Sequence, residues 1–425
     1  MTLWPKSLCI GLVITSLIPR IADAQGARLE VGAEATGLLT RESPAIAGRD
    51  LTEGYLTQPI VMASLGLWND ALALKGTVDF EGLTMKRGEL NAGIVGEGYI
   101  DRRHPHTYLH ELVATAKREF GGAAISLTAG KGFAPFGTDD PMSRPFEKYP
   151  INHHLAQILE RAIGVGAIRT GRLIIEGALF NGDEPESAGD NPNHARYWDS
   201  WSARATFLPF SQGEIQASYA RVKSPEVATG GGDDQRKQSA SIRLEDAQHS
   251  GYGLLEWAHT DEYAGGEKTL GFTSLLAETW AKYEALSGAI RLESTQRPDE
   301  ERLSDPFRTA IPSSDQSSLG RSRWTILTGR VAVSLQAGRG FSLEPFAEVA
   351  RIHVAEDRTP ATFNPIQFYG SSQIWSLSVG AKLSFGMAHM RMGRYGVAST
   401  ERSSTKMGGM DMPGMKMDAM DGSHH

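Results

Sequence analysis

The chain has 425 residues, with 43 Lys and Arg against 50 Asp and Glu, giving a formal net charge of −7. This acidic balance argues against a nucleic-acid partner, which needs a clustered basic face. A single cysteine, Cys9, excludes a disulfide framework, and beyond the N-terminus no run of about 18 apolar residues signals a membrane helix.

Residues 1–24 read as a secretory signal peptide. Lys6 supplies a positive start, Leu8 to Leu17 form a short apolar run, and Ala22-Asp23-Ala24 is an A-x-A cleavage site before Gln25. Losing Lys6, Arg20 and Asp23 with the leader takes the net charge from −7 to −8, and losing Cys9 leaves no cysteine.

From residue 25 onward the pattern is period-two alternation, the signature of strands with one apolar face. Leu29, Val31, Ala33 and Ala35 alternate with Arg28, Glu30, Gly32 and Glu34. Leu72, Leu74, Val78 and Phe80 alternate with Lys75, Thr77, Asp79 and Glu81. The pattern recurs at Ile125 to Ala129, at Ala240 to Leu244 and at Trp375 to Phe385. Alternation alone also suits a soluble sandwich. The connections favour a barrel. Short turns at Asn69-Asp70, Gly121-Gly122, Thr170-Gly171, Ser211 to Gly213, near Glu284 and at Ala337 to Gly340 alternate with long polar loops. The loops fall at about 39–56, 84–107, 133–162, 181–196, 224–236, 261–268, 296–319 and 355–372. Short periplasmic turns and long extracellular loops are the layout of an outer-membrane barrel. The expected fold is therefore all-β, a transmembrane antiparallel β-barrel of about 16 strands over residues 25–385.

Aromatic residues suggest two interfacial girdles. Trp68, Phe120, Phe207, Phe210, Phe341 and Phe385 flank short turns, and Phe133, Phe136, Phe180, Tyr197, Trp198 and Trp201 flank long loops. The last strand, Ser378-Val379-Gly380-Ala381-Lys382-Leu383-Ser384-Phe385, resembles the terminal insertion signal of outer-membrane proteins. Such proteins usually end at the aromatic residue. Here about 40 residues follow it, and Met387 to Val397 could extend or add a strand.

The third long loop is the candidate constriction. It carries Asp139, Asp140, Arg144, Glu147 and Lys148, then a short helix predicted from an Asn152 cap with Leu155, Ile158 and Leu159 on one face. Mixed charges there would tune ion passage, whereas an outward lid is the competing reading. The layout resembles general porins, a likeness that implies a third loop folded into the lumen. Gly130-Lys131-Gly132-Phe133-Ala134-Pro135-Phe136-Gly137, with Gly177 to Gly182 downstream, is similar to the phosphate-selective porin family. That resemblance implies a barrel and a channel. Its anion selectivity is not carried over, because the expected inward set mixes Lys75, Lys117, Arg243, Arg330 and Lys382 with Asp79, Glu81, Glu119, Glu176, Glu344 and Glu348. His104, His106 and His110, and the pair His153-His154, could hold a divalent ion, but with no closed ligand spacing they read as surface histidines. No G-x-S-x-G or comparable nucleophile motif is present, so the reading is not an enzyme, with an outer-membrane enzyme kept as a rival class.

Residues 386–425 read as a disordered periplasmic tail rich in Met and His. Nine of the 13 methionines lie at or after Met387. Met407, Met410, Met412, Met415, Met417 and Met420 form three Met-x-x-Met pentads, followed by His424 and His425. Thioethers are soft ligands that select Cu(I), and Gly408, Gly409, Pro413 and Gly414 argue against a helix. A barrel joined to a Met/His-rich segment resembles copper resistance protein B, although that family carries the segment before the barrel. The implied function is a porin-like channel tied to copper or silver homeostasis. Implied partners are membrane lipid, small solutes or ions and periplasmic copper-handling proteins, with a homotrimer as the assembly. A general solute or anion porin with an incidental tail is the alternative.

Overall fold

The computed structural model describes residues 27–399, apart from 47–48, 85–105, 140, 148–149, 151–152, 186, 249, 301–317, 339, 358–365, 367–369 and 387–390. The leader 1–24 and the Met pentads lie outside the described residues. No described helix is long and apolar enough to cross a membrane. The chain is instead a succession of strands: β1 (Arg28–Ile46), β2 (Arg49–Leu67), β3 (Leu72–Asp79), β4 (Leu109–Phe120), β5 (Ala123–Gly132) and β6 (Arg161–Thr170). β7 (Leu173–Phe180), β8 (Ser200–Phe207), β9 (Gly213–Val222), β10 (Asp234–Glu245), β11 (Gly251–Ala264) and β12 (Glu267–Tyr283) follow. The series ends with β13 (Leu286–Glu300), β14 (Ser318–Val333), β15 (Leu335–Gly338), β16 (Phe341–Glu356) and β17 (Gln373–Gly386).

Each strand pairs antiparallel with its neighbours, and β1 closes the sheet on β17 from Gly32↔Gly386 to Ser43↔Trp375. β14 and β15 both pair with β16 on either side of Ser334, so they form one interrupted position and the barrel has 16 staves. Closure removes every sheet edge, which is the condition for a sheet to stand in lipid.

The two faces follow the sequence parity. On β8 the small and polar side chains of Ser200, Ser202, Arg204 and Thr206 are buried, while Trp201 and Phe207 point out. On β17, Trp375, Leu377, Val379, Leu383 and Phe385 face outward and Ser376 and Ser378 inward. The outside is thus an apolar belt and the inside is polar, the inverse of a soluble sandwich. Trp68, Phe120, Phe207, Phe210, Phe341 and Phe385 ring the turn end of the barrel as exposed aromatics, with Phe341 and Phe385 rings 4.6 Å apart.

Three expectations are corrected here. The loops expected at 39–56 and 261–268 are hairpin strands: β1 and β2 run to Ile46↔Arg49, and β11 and β12 to Ala264↔Glu267 around Gly265-Gly266. Strand pairing continues above the apolar belt, where both faces turn polar and alternation fades. The helix expected around residues 152–159 is a single turn, His153–Ala156. Phe133, Phe136 and Phe180 are not girdle residues but are buried inside the barrel. Leu179 is exposed, so strand parity turns the next residue, Phe180, into the lumen.

Candidate functional site

Among the described residues, two pieces of chain lie in the lumen. The first is the connection between β5 and β6. At its root Gly130 (φ +143) and Gly137 (φ +67) adopt backbone that a side chain resists. A Cβ on Gly137 would sit 1.7 Å from the Ala156 carbonyl oxygen, so the loop's two limbs touch only because that residue is glycine. Phe133, Phe136, Met142 and Ile158 then form an internal apolar core with Ile163, Phe180 and Val222 of the wall. Burial of these side chains holds a polar loop inside a polar tube.

Charge fixes the loop's position. Asp139 pairs with Arg243 at 3.2 Å, with Arg391 at 3.5 Å and with Arg144 at 3.9 Å. Burial alone would raise the Asp139 carboxyl, but these guanidinium groups hold it well below the usual carboxylate range. Arg144 meets Glu256 at 3.2 Å, and Thr138 Oγ1 donates to the same carboxylate at 2.5 Å. Glu147 pairs with Arg330 at 2.7 Å, and its backbone N–H donates to Glu348 at 3.0 Å. Phe146 lies under the Arg291 guanidinium at 4.1 Å. Of the five candidate constriction residues, Asp139, Arg144 and Glu147 therefore face the lumen, each paired, while Asp140 and Lys148 lie outside the described residues. The loop crosses to walls as distant as β11, β14 and β16.

The second piece is residues 391–399. β17 ends at Gly386 (φ +70), where a Cβ would lie 2.2 Å from the Val31 carbonyl oxygen. Residues 391–399 pack within the barrel and include one 3-10 turn, Gly396–Ala398. They form no strand, so the extra strand considered for 387–397 is not seen among the described residues. Nor does the barrel's interior stop at residue 385: this stretch, assigned from sequence to a hanging tail, is internal. Arg391 and Arg394 share Glu214, at 3.0 and 2.5 Å. Arg394 also donates to Gln216 at 2.5 Å and to the Thr138 carbonyl at 3.2 Å. Arg204, paired with Glu176 at 2.5 Å, donates to the Gly393 carbonyl at 2.8 Å. Tyr395 Oη donates to Glu111 at 2.8 Å and accepts the Phe133 N–H at 3.0 Å. Burial and the Glu111 carboxylate push the phenol well above its ordinary value, so it stays a donor.

The path of the segment follows from these partners. Glu214 and Ser126 sit near the turn end of β9 and β5, whereas Glu111 sits near the loop end of β4. Residues 391–395 thus rise from the turn end to Tyr395. Val397, whose N–H donates to Ser126 at 3.1 Å, and Ala398, packed on Ala167 and Ile174, come back down. A cavity of about 10 Å³, room for at most one water, lies between this segment and the folded-in loop, lined by Phe136, Ile158, Arg204 and Met392.

The surface reading of the histidines also changes. His106 and His110 are buried beside Asp79 and Glu160, while His104 lies outside the described residues. The residues that sequence reasoning missed are Arg391, Arg394, Tyr395, Glu111, Arg204 and Glu214. One signal was available: Arg391-Met392-Gly393-Arg394-Tyr395-Gly396 is basic and aromatic, unlike the acidic Met pentads that follow.

No family model and no curated protein matches the sequence. Solved structures do. OprB of Pseudomonas putida aligns over 89% of this chain and 97% of its own, with 10% identity and a TM-score of 0.53. An anion-selective porin from Comamonas acidovorans aligns over 84% of this chain and 100% of its own, with 8% identity and a TM-score of 0.49. The trimer form of OmpT, an outer membrane protein of Vibrio cholerae, aligns over 86% of this chain and 100% of its own, at 9% identity and a TM-score of 0.48. The fold is that of outer-membrane porins.

Proposed function

We propose that this chain is a porin-like channel of the outer membrane, narrowed by residues 133–160 and by 391–399, and tied to copper or silver homeostasis by its Met-rich tail. The observation that carries the channel reading is the inverted barrel: an apolar belt outside and a charge-lined lumen inside, with a charged loop drawn across it. Buried guanidinium–carboxylate pairs join the folded-in loop to the lumen wall in near balance, from Arg144 and Arg243 with Asp139 and Glu256 to Arg330 with Glu147. Such a lining disfavours large apolar solutes and offers no one-signed ladder for phosphate.

The copper reading rests on the thioether chemistry of Met407, Met410, Met412, Met415, Met417 and Met420, with His424 and His425 as borderline ligands. The return of residues 397–399 toward the turn end supports a tail leaving on the periplasmic side, where it would meet copper-handling proteins. Small solutes or ions would share the pore, and a trimer would be the working assembly. Two measurements test the reading. Cu(I) titration of the full chain under reducing conditions, against a variant with all six pentad methionines changed to Leu, should show binding that the variant lacks. Planar-bilayer recordings should show discrete conductance steps. Equal Cu(I) binding by the two chains points to a general solute porin. A barrel that never conducts removes the channel reading and favours an anchored metal binder or an enzyme.

A further inference from the structure

We propose that Asp79, His106, His110 and Glu160 form a second, internal metal site, for a divalent ion of the zinc(II), copper(II) and nickel(II) class. The site is independent of the Met tail and of the copper reading.

Three connections at the loop end of the barrel bring the four residues together. Asp79 closes β3, His106 and His110 bracket the start of β4, and Glu160 is the last residue before β6. A β-bulge does the aiming. Thr77 pairs with Glu111 and Val78 with Leu109, so His110 is the extra residue on β4. The bulge lets His110 and Glu111 both face inward, which a regular strand forbids. Asp79, His106 and His110 each offer a ligand atom, and these atoms all lie within 4.8 Å of one another.

The spacing suits a metal. Tetrahedral zinc with bonds near 2.0–2.1 Å sets its ligand atoms roughly 3.3 Å apart. His106 Nδ1 and His110 Nδ1 are 3.4 Å apart, and His106 Nδ1 is 3.3 Å from Glu160 Oε1. His110 Nδ1 and Glu160 Oε1 are at 2.5 Å, a contact that must widen by roughly 0.8 Å to admit the ion. Glu160 is held for this by the Thr107 N–H, which reaches both its oxygens at 3.2 and 3.0 Å. Such an outer contact orients ligands in protein metal sites.

A second observation points the same way. Asp79 is 1% exposed, and its Oδ2 has no hydrogen-bond partner, although Oδ1 accepts the Glu81 N–H at 2.8 Å. An anionic oxygen buried without a donor is costly. Asp79, Glu81 and Glu160 crowd three carboxyl groups into this pocket. Lys131 stands on the far side of Thr107, and a dication bound among the carboxyl groups would offset their charge directly. Two imidazoles with two carboxylates suit borderline ions rather than Cu(I), magnesium or calcium. Bound there, the ion would join the β3–β4 connection to the exit of the folded-in loop.

The test uses the full chain in detergent, stripped with a chelator, with His424→Ala and His425→Ala to silence the tail histidines. Zinc(II) alone is the probe, titrated against a competing chromophoric chelator. The expected result is one equivalent that His106→Gln/His110→Gln abolishes and Asp79→Asn weakens by about tenfold or more, the scale of losing one good ligand contact. Equal stoichiometry and affinity in the parent and the double-Gln chain would overturn the proposal. If the double-Gln chain does not fold, zinc X-ray absorption on the parent at one equivalent decides. Two imidazole nitrogens at about 2.0–2.1 Å support the site, and fewer than two sink it.

Discussion

Tyr395→Phe isolates what holds residues 391–399 in the lumen. The substitution keeps the ring and removes one oxygen that makes two hydrogen bonds, to Glu111 Oε1 at 2.8 Å and from Phe133 N at 3.0 Å. Glu111 retains its ion pair with Lys75 at 3.1 Å, so it is not stranded. The Phe133 N–H loses the acceptor that Tyr395 supplies. Losing a hydrogen bond to a charged group costs about 1.5–3 kcal/mol. At 1.36 kcal/mol per tenfold, that lowers the docked-to-undocked ratio of the segment by roughly ten- to hundredfold. Hydrogen exchange followed by mass spectrometry reads this directly, as loss of protection in the peptide covering 391–399 with strand amides of β17 unchanged. Bilayer recordings should show longer or larger open events over the same change. If exchange in 391–399 is the same in both chains, the Tyr395 contacts do not hold the segment and the argument fails. Arg394→Ala should act more strongly, toward the roughly 3–5 kcal/mol of a broken buried pair. Arg391 also pairs with Glu214, so the two arginines should couple non-additively in a double-variant cycle.

Gly137→Ala would put a methyl group 1.7 Å from the Ala156 carbonyl in left-handed backbone, so it should expel or rearrange the folded-in loop. Limited proteolysis should then cut within 133–160 in the variant and spare the parent, while the heat-shifted gel mobility of the barrel stays the same. The depressed carboxyl of Asp139 sets a pH window. Its pairing stabilises the folded loop above the unfolded value of about 3.9 and is lost only as pH falls through the lower folded value. Loop protection, corrected for intrinsic exchange, should therefore be flat from pH 8 to 5, and Asp139→Asn should lower it across that whole range. A midpoint near neutrality would show that another group controls the loop. Arg330→Gln leaves Glu147 and Glu348 without their shared guanidinium, 2.7 and 3.8 Å away. It should shift reversal potentials toward cations, and an unchanged selectivity would place the conducting path elsewhere.

The sequence carries the wall of this molecule far better than its contents. A strand wetted on one face and in lipid on the other must alternate, so β8 and β17 are written residue by residue, and Phe385 marks the wall's end through its place in that alternation. The strand ends are fainter. Above the apolar belt no face needs to be greasy, and the paired residues of β1, β2, β11 and β12 there look like loop. The contents of the lumen are marked only by composition, the third loop by its length and mixed charge and residues 391–396 by their basic and aromatic character, and nothing local names their partners. Tyr395 finds Glu111 across 284 positions, and Asp139 finds Arg243 across 104. Each partner alone is an ordinary polar residue. His110 was hidden by a different cause, since its inward direction comes from a bulge and breaks the parity that exposes every other wall residue.

The internal stretch 391–399 changes what the tail can do. It stands between the last strand and the Met pentads in the chain, so a ligand held by the proposed tail site would act on the barrel through this docked segment. If the pentads bind Cu(I) as proposed, that binding and docking at Tyr395 would be linked equilibria. If Cu(I) binding favours the docked segment, undocking it must weaken Cu(I) binding by the same factor. Tyr395→Phe, which touches no methionine, provides the measurement: a Cu(I) affinity identical to that of the parent chain would mean that tail and lumen work independently.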